Sequence, residues 1–85
     1  MQVRMVILPS DNGLNVVIWG TWAAGSMRVK HFENRTDMVA SLEMLGLISP
    51  KDVPELESFT FVDSCPLFSA DIEEETLSAH GFELA

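Results

Sequence analysis

The side chains of this sequence that could do chemistry are few and scattered. There is one cysteine, Cys65, and there are two histidines, His31 and His80, among 85 residues. A nucleophilic cysteine needs a base beside it, and the spacing places neither histidine near Cys65. Free cysteine is among the most buried residue types, so we expect Cys65 to be buried and inert. We therefore predict no catalytic residue. An enzyme would need residues from two subunits.

Metal and cofactor sites are not indicated either. The sequence contains no CxxC or HExxH motif and no glycine-rich loop before a helix. Carboxylates are dense at Asp71 and at residues 73–75. Consecutive positions of a helix point in different directions, and acidic residues favour the first turn of a helix. We predict no metal and no cofactor.

The stretch VVIWGTWAAGSMRV, residues 16–29, poses the sharper question. It places Trp19 and Trp22 three residues apart, shortly before Arg28 and Lys30. Tryptophan and arginine are common at interaction surfaces, but tryptophan is also a core residue. We expect Trp22 to pack over the end of the core. The role of Trp19 depends on the strands that position it.

Length and composition predict one folded domain over residues 1–85, since 47% of the residues are hydrophobic. The net charge of −8 is unevenly placed. Residues 1–48 contain four basic and four acidic residues, whereas residues 49–85 contain Lys51 and nine acidic residues. We therefore distinguish a neutral part, residues 1–48, from an acidic segment, residues 49–85. Such asymmetry indicates an interaction segment or a solvated face.

Localisation follows from apolar runs and cysteine content. The first apolar run, MVIL, is shorter than the core of a secretory signal, and no run approaches the length of a membrane helix. A single cysteine excludes an internal disulfide and favours a reducing compartment. We expect a cytoplasmic protein that does not enter a membrane.

Residues 1–48 have the pattern of a strand meander followed by a helix. Residues 3–8 and 14–19 flank Asn12-Gly13, a strong signal for a two-residue hairpin turn, and residues 26–32 alternate with a period of two. Asn34 is placed to cap a helix that ends at Gly46. Its apolar stripe consists of Met38, Val39, Leu42 and Leu45.

The acidic segment predicts shorter elements. A helix start at residues 49–52 is followed by Pro54, which we expect to break it after a turn. Residues 58–62 alternate as a short strand, and a short helix begins at Asp71 and ends at Gly81. The predicted fold is α+β, an antiparallel meander of three to four strands with one main helix packed on one face and a short C-terminal helix.

The hairpins predict which side chains share a face of the sheet. If Asn12-Gly13 is the turn, Ile7 pairs with Ile18, and a compatible second hairpin pairs Trp19 with Arg28. The core face then contains Val3, Met5, Ile7, Val16, Ile18, Met27 and Val29. The second face contains Arg4, Val6, Leu8, Val17, Trp19, Arg28 and Lys30.

The second face is too apolar to be left in water, so something is expected to cover it. The acidic segment could fold over it, using Phe59, Phe61, Phe68 and Ile72 with the carboxylates of residues 73–75. A second copy of the chain or a different protein could also cover it. Trp19 and Arg28, as a cross-strand pair, would form a cation–π contact there.

We therefore predict a small, non-catalytic protein-interaction module. Its contact surface is the second face, used for self-association or for binding an acidic, apolar segment of a partner. The alternative is an acidic inhibitor or nucleic-acid mimic that acts through residues 52–75. Binding to nucleic acid itself is disfavoured, because a chain of charge −8 repels a polyanion.

Overall fold

The computed structural model describes residues 1–20, 27–61 and 65–85 and has an α+β fold, as predicted. Its strands form one antiparallel sheet in the order β4-β1-β2-β3-β5. Within the described residues the sheet has five strands, more than the three or four expected. The strands are β1 (Gln2–Ser10), β2 (Gly13–Gly20), β3 (Met27–Phe32), β4 (Leu67–Asp71) and β5 (Glu83–Leu84). The helices are α1 (Arg35–Met44), α2 (Val53–Ser58) and α3 (Glu74–Ala79), and a 3₁₀ turn spans Pro50–Asp52.

The turn of the first hairpin lies one residue earlier in the chain than predicted. Ser10 pairs with Gly13, so the two turn residues are Asp11 and Asn12 rather than Asn12 and Gly13. Gly13 has φ of +154°, and a Cβ built there would lie 2.1 Å from the carbonyl oxygen of Phe32. The glycine is thus required by the close approach of β3. Every pair shifts by two residues, and Ile7 faces Val16 instead of Ile18, but no side chain changes face.

The second hairpin differs by one residue, and this changes the faces of β3. Ile18 pairs with Arg28, and Trp19 pairs with Met27. The prediction that Arg28 and Lys30 share a face with Trp19 is therefore wrong, as is the prediction that Met27 and Val29 belong to the core. The observed register buries Phe32 beside Leu14. The aromatic side chain of Phe32 thereby packs in the core, and the long cationic side chains of Arg28 and Lys30 lie over the edge of the core.

Helix α1 begins and ends as the sequence predicts. The side-chain oxygen of Asn34 accepts a hydrogen bond from the backbone N–H of Asp37, at 2.8 Å. Gly46 adopts φ of +75°, and the N–H of Leu47 donates to the carbonyl of Leu42 at 2.9 Å. This is the hydrogen bond of a Schellman ending. The buried residues of α1 are Met38, Val39 and Leu42.

The acidic segment departs furthest from its prediction. Pro54 lies in the first turn of α2 and does not break it, because a helix tolerates proline where no N–H partner is needed. The strand predicted at residues 58–62 is not observed over 58–61, where Ser58 ends α2; Val62 lies outside the described residues. The strand of this region is β4 instead. The short C-terminal helix is confirmed as α3, beginning at Glu74 because Asp71 still belongs to β4.

The acidic segment supplies the outer strands β4 and β5 of the sheet, and its helices pack on the core side. Leu56, Ile72, Leu77 and Phe82 are buried in the same cluster as the inward side chains of β1 and β2. Three further aromatic residues, Phe59, Phe61 and Phe68, pack against that cluster. Of the three alternatives for covering the second face, coverage by the acidic segment is therefore not observed within the described residues.

Arg35 connects the start of α1 to the end of α2, and its substitution gives the first prediction. Its guanidinium lies 4.1 Å from the ring centre of Phe59 and donates to the carbonyl oxygens of Phe59 (2.7 Å) and Leu56 (3.4 Å). Lysine cannot reproduce the planar stacking and the paired hydrogen bonds. We expect Arg35→Lys to lower the free energy of unfolding by about 1 kcal/mol in urea denaturation. Arg4→Lys is the control, and an equal loss in both variants would contradict this role.

Candidate interaction surface

The face of the sheet opposite the helices, here called the open face, has a continuous apolar row at its centre. Leu67, Val6, Val17 and Val29 are direct neighbours on β4, β1, β2 and β3. We call these four residues the apolar ladder. The three valines are half-buried and Leu67 is 56% exposed. None of the four belongs to the buried core or packs against it, so within the described part of the chain the ladder is left for contact with another molecule.

Mixed rows flank the ladder on both sides. On one side, Ser69, Arg4, Trp19 and Met27 are neighbours across the same four strands, and Met27 is 48% exposed. On the other side lie Leu8, Asn15 and His31. The open face therefore has an apolar centre with polar side chains towards its margins.

A shallow pocket of ≈ 380 Å³ lies at one end of this surface. Its lining residues are Gln2, Val3, Arg4, Trp19, Gly20 and Ser69. Strands β1 and β2 place Arg4 directly opposite Trp19, so a guanidinium and an indole border the same depression. A large side chain of a binding partner could insert between them.

Two oppositely charged residues of the open face have no charged partner in the described part of the chain. Arg4 makes no hydrogen bond, ion pair or ring contact within residues 1–20, 27–61 and 65–85, and the same holds for the Glu83 carboxylate, opposite Val29. Asp71 differs, because it accepts a hydrogen bond from the Met1 amine. That bond is the main cause of a raised pKa of the amine. Arg4 and Glu83 thus remain available for intermolecular pairing.

Arg28 and Lys30, two of the predicted contact residues, lie on the opposite face and hold the C-terminal residues. Arg28, with a side chain 13% exposed, donates through Nε to Glu74 Oε2 at 3.1 Å and through Nη1 to the carbonyl of Phe82 at 2.8 Å. Lys30 Nζ donates to the carbonyl of His80 at 2.9 Å. The predicted pair of Trp19 and Arg28 therefore does not form.

The open face includes three apolar residues that the sequence interpretation missed. Met27 and Val29 were assigned to the core, and the one-residue difference in the second hairpin moves them to the open face. Leu67 is missed because the sequence predicts the strand of this region at residues 58–62. The alternation of Leu67, Ser69 and Asp71 with Phe68 and Ala70 was the signal that could have located β4.

A serine and a histidine approach each other at the margin of the open face without the geometry of a nucleophile and its base. His31 Nδ1 lies 2.9 Å from Asn15 Oδ1 and 3.3 Å from Ser10 Oγ. Because Asn15 Oδ1 is an acceptor, Nδ1 must supply the proton of that bond and cannot accept one from Ser10. These contacts stabilise the pairing of β2 with β3 and the hairpin end.

Other sequence-based expectations concern residues outside this surface. Cys65 is exposed, so the prediction that it is buried is wrong. Trp22 lies outside the described residues. Within those residues, no cluster of three metal-ligating side chains occurs and no helix has the length and apolar character to cross a membrane. Comparisons with protein-family models, with curated proteins and with solved structures find no match to this chain.

Proposed function

We propose that this protein is a non-catalytic protein-interaction module and that the open face is its contact surface. One observation carries the proposal. The apolar ladder and the exposed apolar side chains of Met27 and Leu8 lie together on the face that the described helices do not cover. Single exposed apolar residues are normal, whereas a contiguous patch usually marks a binding site.

The composition of the open face supports protein binding. Interfaces combine a desolvated apolar centre with a polar margin, and tryptophan and arginine are the side chains that most often dominate their energetics. Trp19 and Arg4 provide these side chains beside the ladder. The proposed contact residues are Arg4, Val6, Leu8, Val17, Trp19, Met27, Val29 and Leu67.

A sheet also presents these residues at low entropic cost. Except for Leu67 on the edge strand β4, each of these residues lies on a strand that has a neighbouring strand on both sides. These neighbours fix the backbone, so little ordering of the backbone is needed on binding. A cytoplasmic location is part of the proposal, supported by the single cysteine.

The alternative, an acidic inhibitor or nucleic-acid mimic acting through residues 52–75, has weaker support. Several of its carboxylates bind within the chain. Asp52 accepts hydrogen bonds from the N–H and hydroxyl of Ser49, which lower the pKa of Asp52. Asp71 binds the Met1 amine and Glu74 pairs with Arg28. A mimic needs carboxylates that are free to contact a basic partner.

Site-specific photocrosslinking in the cells that make the protein tests this function. A benzoylphenylalanine at position 67, on the open face, is expected to form protein adducts when irradiated. The matched control is position 44, because Met44 is also a large exposed apolar residue (69%) but lies on α1. Adducts at position 67 should disappear when Val17→Glu is added to the same chain. Equal adduct formation from both positions would overturn the proposal.

A further inference from the structure

We infer that the partner of the open face is a second copy of this chain, and that Arg4 of each copy pairs with Glu83 of the other. The inference rests on the proposed function and adds the identity and orientation of the partner. In a two-fold dimer the same patch is used twice, so the patch must contain both members of every contact. The open face meets this condition.

The two charges lie on either side of the centre of the apolar ladder. Arg4 is on β1 and Glu83 is on β5, with β2 and β3 between them. Three strand spacings of about 4.8 Å separate them by roughly 14 Å, so they cannot pair within one copy. A two-fold axis in the interface and nearly parallel to β2 reverses the order of the strands. It then brings β1 of one copy over β3 of the other, next to β5 and within reach of Glu83.

The same axis brings the apolar residues of the two copies together. Val17 lies on the central strand of the five and would meet the partner's Val17, while Val6 would lie opposite the partner's Val29. Two sheets packed face to face interdigitate their side chains in this way, with strands nearly aligned. Trp19 and Met27 would lie at one margin of the contact between the two copies.

The size of the surface suits a reversible dimer. Five strands about 4.8 Å apart span roughly 19 Å, and the central strands are roughly 25 Å long, giving a flat footprint of roughly 500 Å². Because side chains project from the sheet, the accessible area of the open face is larger than this flat footprint. The smallest specific interfaces bury roughly 600 Å² per partner. We therefore expect a dimer that dissociates on dilution and not a permanent one.

Charge placement is compatible with self-association in spite of the net charge of −8. The acidic helices α2 and α3 pack on the core side of the sheet. Their carboxylates are thus separated from the second copy by at least the thickness of the sheet. At physiological ionic strength the Debye length is about 8 Å, so repulsion between them is largely screened.

Sedimentation equilibrium of the purified full chain tests the dimer. The wild type is expected to show a reversible monomer–dimer equilibrium. Leu67→Glu should weaken it at least roughly tenfold by placing an uncompensated charge in the apolar contact, whereas Met44→Glu should leave it unchanged. Circular dichroism establishes that each variant is folded, and Met27→Glu replaces Leu67→Glu if the latter is not. A wild type that stays monomeric at every concentration would overturn the inference.

Charge exchange tests the pairing of Arg4 with Glu83. Arg4→Glu and Glu83→Arg should each weaken their own dimer roughly tenfold, because both contacts become repulsive. A mixture of the two variants should recover association to within roughly threefold of wild type, because both contacts are then attractive. Lys51→Glu and Glu43→Arg are the controls of equal charge change. If the mixture associates no better than either variant alone, the pairing is wrong.

The outcomes separate this inference from the proposed function. A monomeric protein that still forms adducts with other proteins from position 67 would refute the dimer and leave the function in place. A monomeric protein without such adducts would refute both.

Discussion

Replacing Phe82 with alanine is expected to lower the free energy of unfolding by about 3–5 kcal/mol. Phe82 is the largest fully buried side chain of the described residues, at 0% exposure. Its N–H donates to the carbonyl of Leu77 at 3.0 Å, and its own carbonyl accepts from Arg28. Removing the ring leaves a cavity in the core cluster that the neighbours fill only in part.

Urea denaturation followed by circular dichroism measures this loss. Leu84→Ala is the matched control, since Leu84 is two residues away, 59% exposed, and should change stability by less than about 0.5 kcal/mol. If Phe82→Ala unfolds the chain, Phe82→Leu still reports on the site, with an expected loss of about 1–2 kcal/mol. A loss from Phe82→Ala no larger than that from Leu84→Ala would show that the C-terminal residues do not pack on the core.

The burial of Phe82 illustrates which parts of the fold could be predicted from the sequence. Helix α1 could be predicted because Asn34 and Gly46 act within a few residues of their partners. The position of Phe82 depends on β3, which is about fifty residues earlier in the chain. No local pattern encodes such a contact, and the elements predicted from the sequence end at Gly81.

The two hairpins show how an error in register affects the candidate site. A two-residue shift between β1 and β2 preserves the faces, and for that reason Arg4, Val6, Leu8, Val17 and Trp19 do lie on the open face. A one-residue shift exchanges the faces of β3. The period-two pattern of β3 did not reveal the shift, because each alternating set contains apolar side chains.

Which face of β3 turns towards the core depends on which of its apolar residues pack there. The sequence interpretation placed Met27 and Val29 inside. The structure places Phe32 inside instead, with Arg28 and Lys30 on the same face. Arginine and lysine can lie along apolar surface while their charged ends reach acceptors, here backbone carbonyls near the C-terminus. Those acceptors belong to a distant part of the chain.

Arg28→Met is expected to lower the free energy of unfolding by about 2 kcal/mol. The side chain of Arg28 is only 13% exposed, and its guanidinium binds both Glu74 and the carbonyl of Phe82. Methionine retains much of the apolar stem but leaves that carbonyl without its donor. The ion pair itself contributes the smaller share, because Glu74 is partly solvated. Urea denaturation of wild type, Arg28→Met, Glu74→Gln and the double variant separates the two contributions.

Arg4→Met is the decisive comparison, because it distinguishes the two registers of β3. In the register observed here, Arg28→Met should reduce stability and leave self-association unchanged, whereas Arg4→Met should weaken self-association and change stability by less than about 0.5 kcal/mol. In the register that the sequence favoured, Arg28 would lie on the open face beside Trp19. Both substitutions would then affect association and neither would reduce stability. Denaturation and sedimentation of the same two variants therefore test the arrangement of the sheet and the use of its open face together.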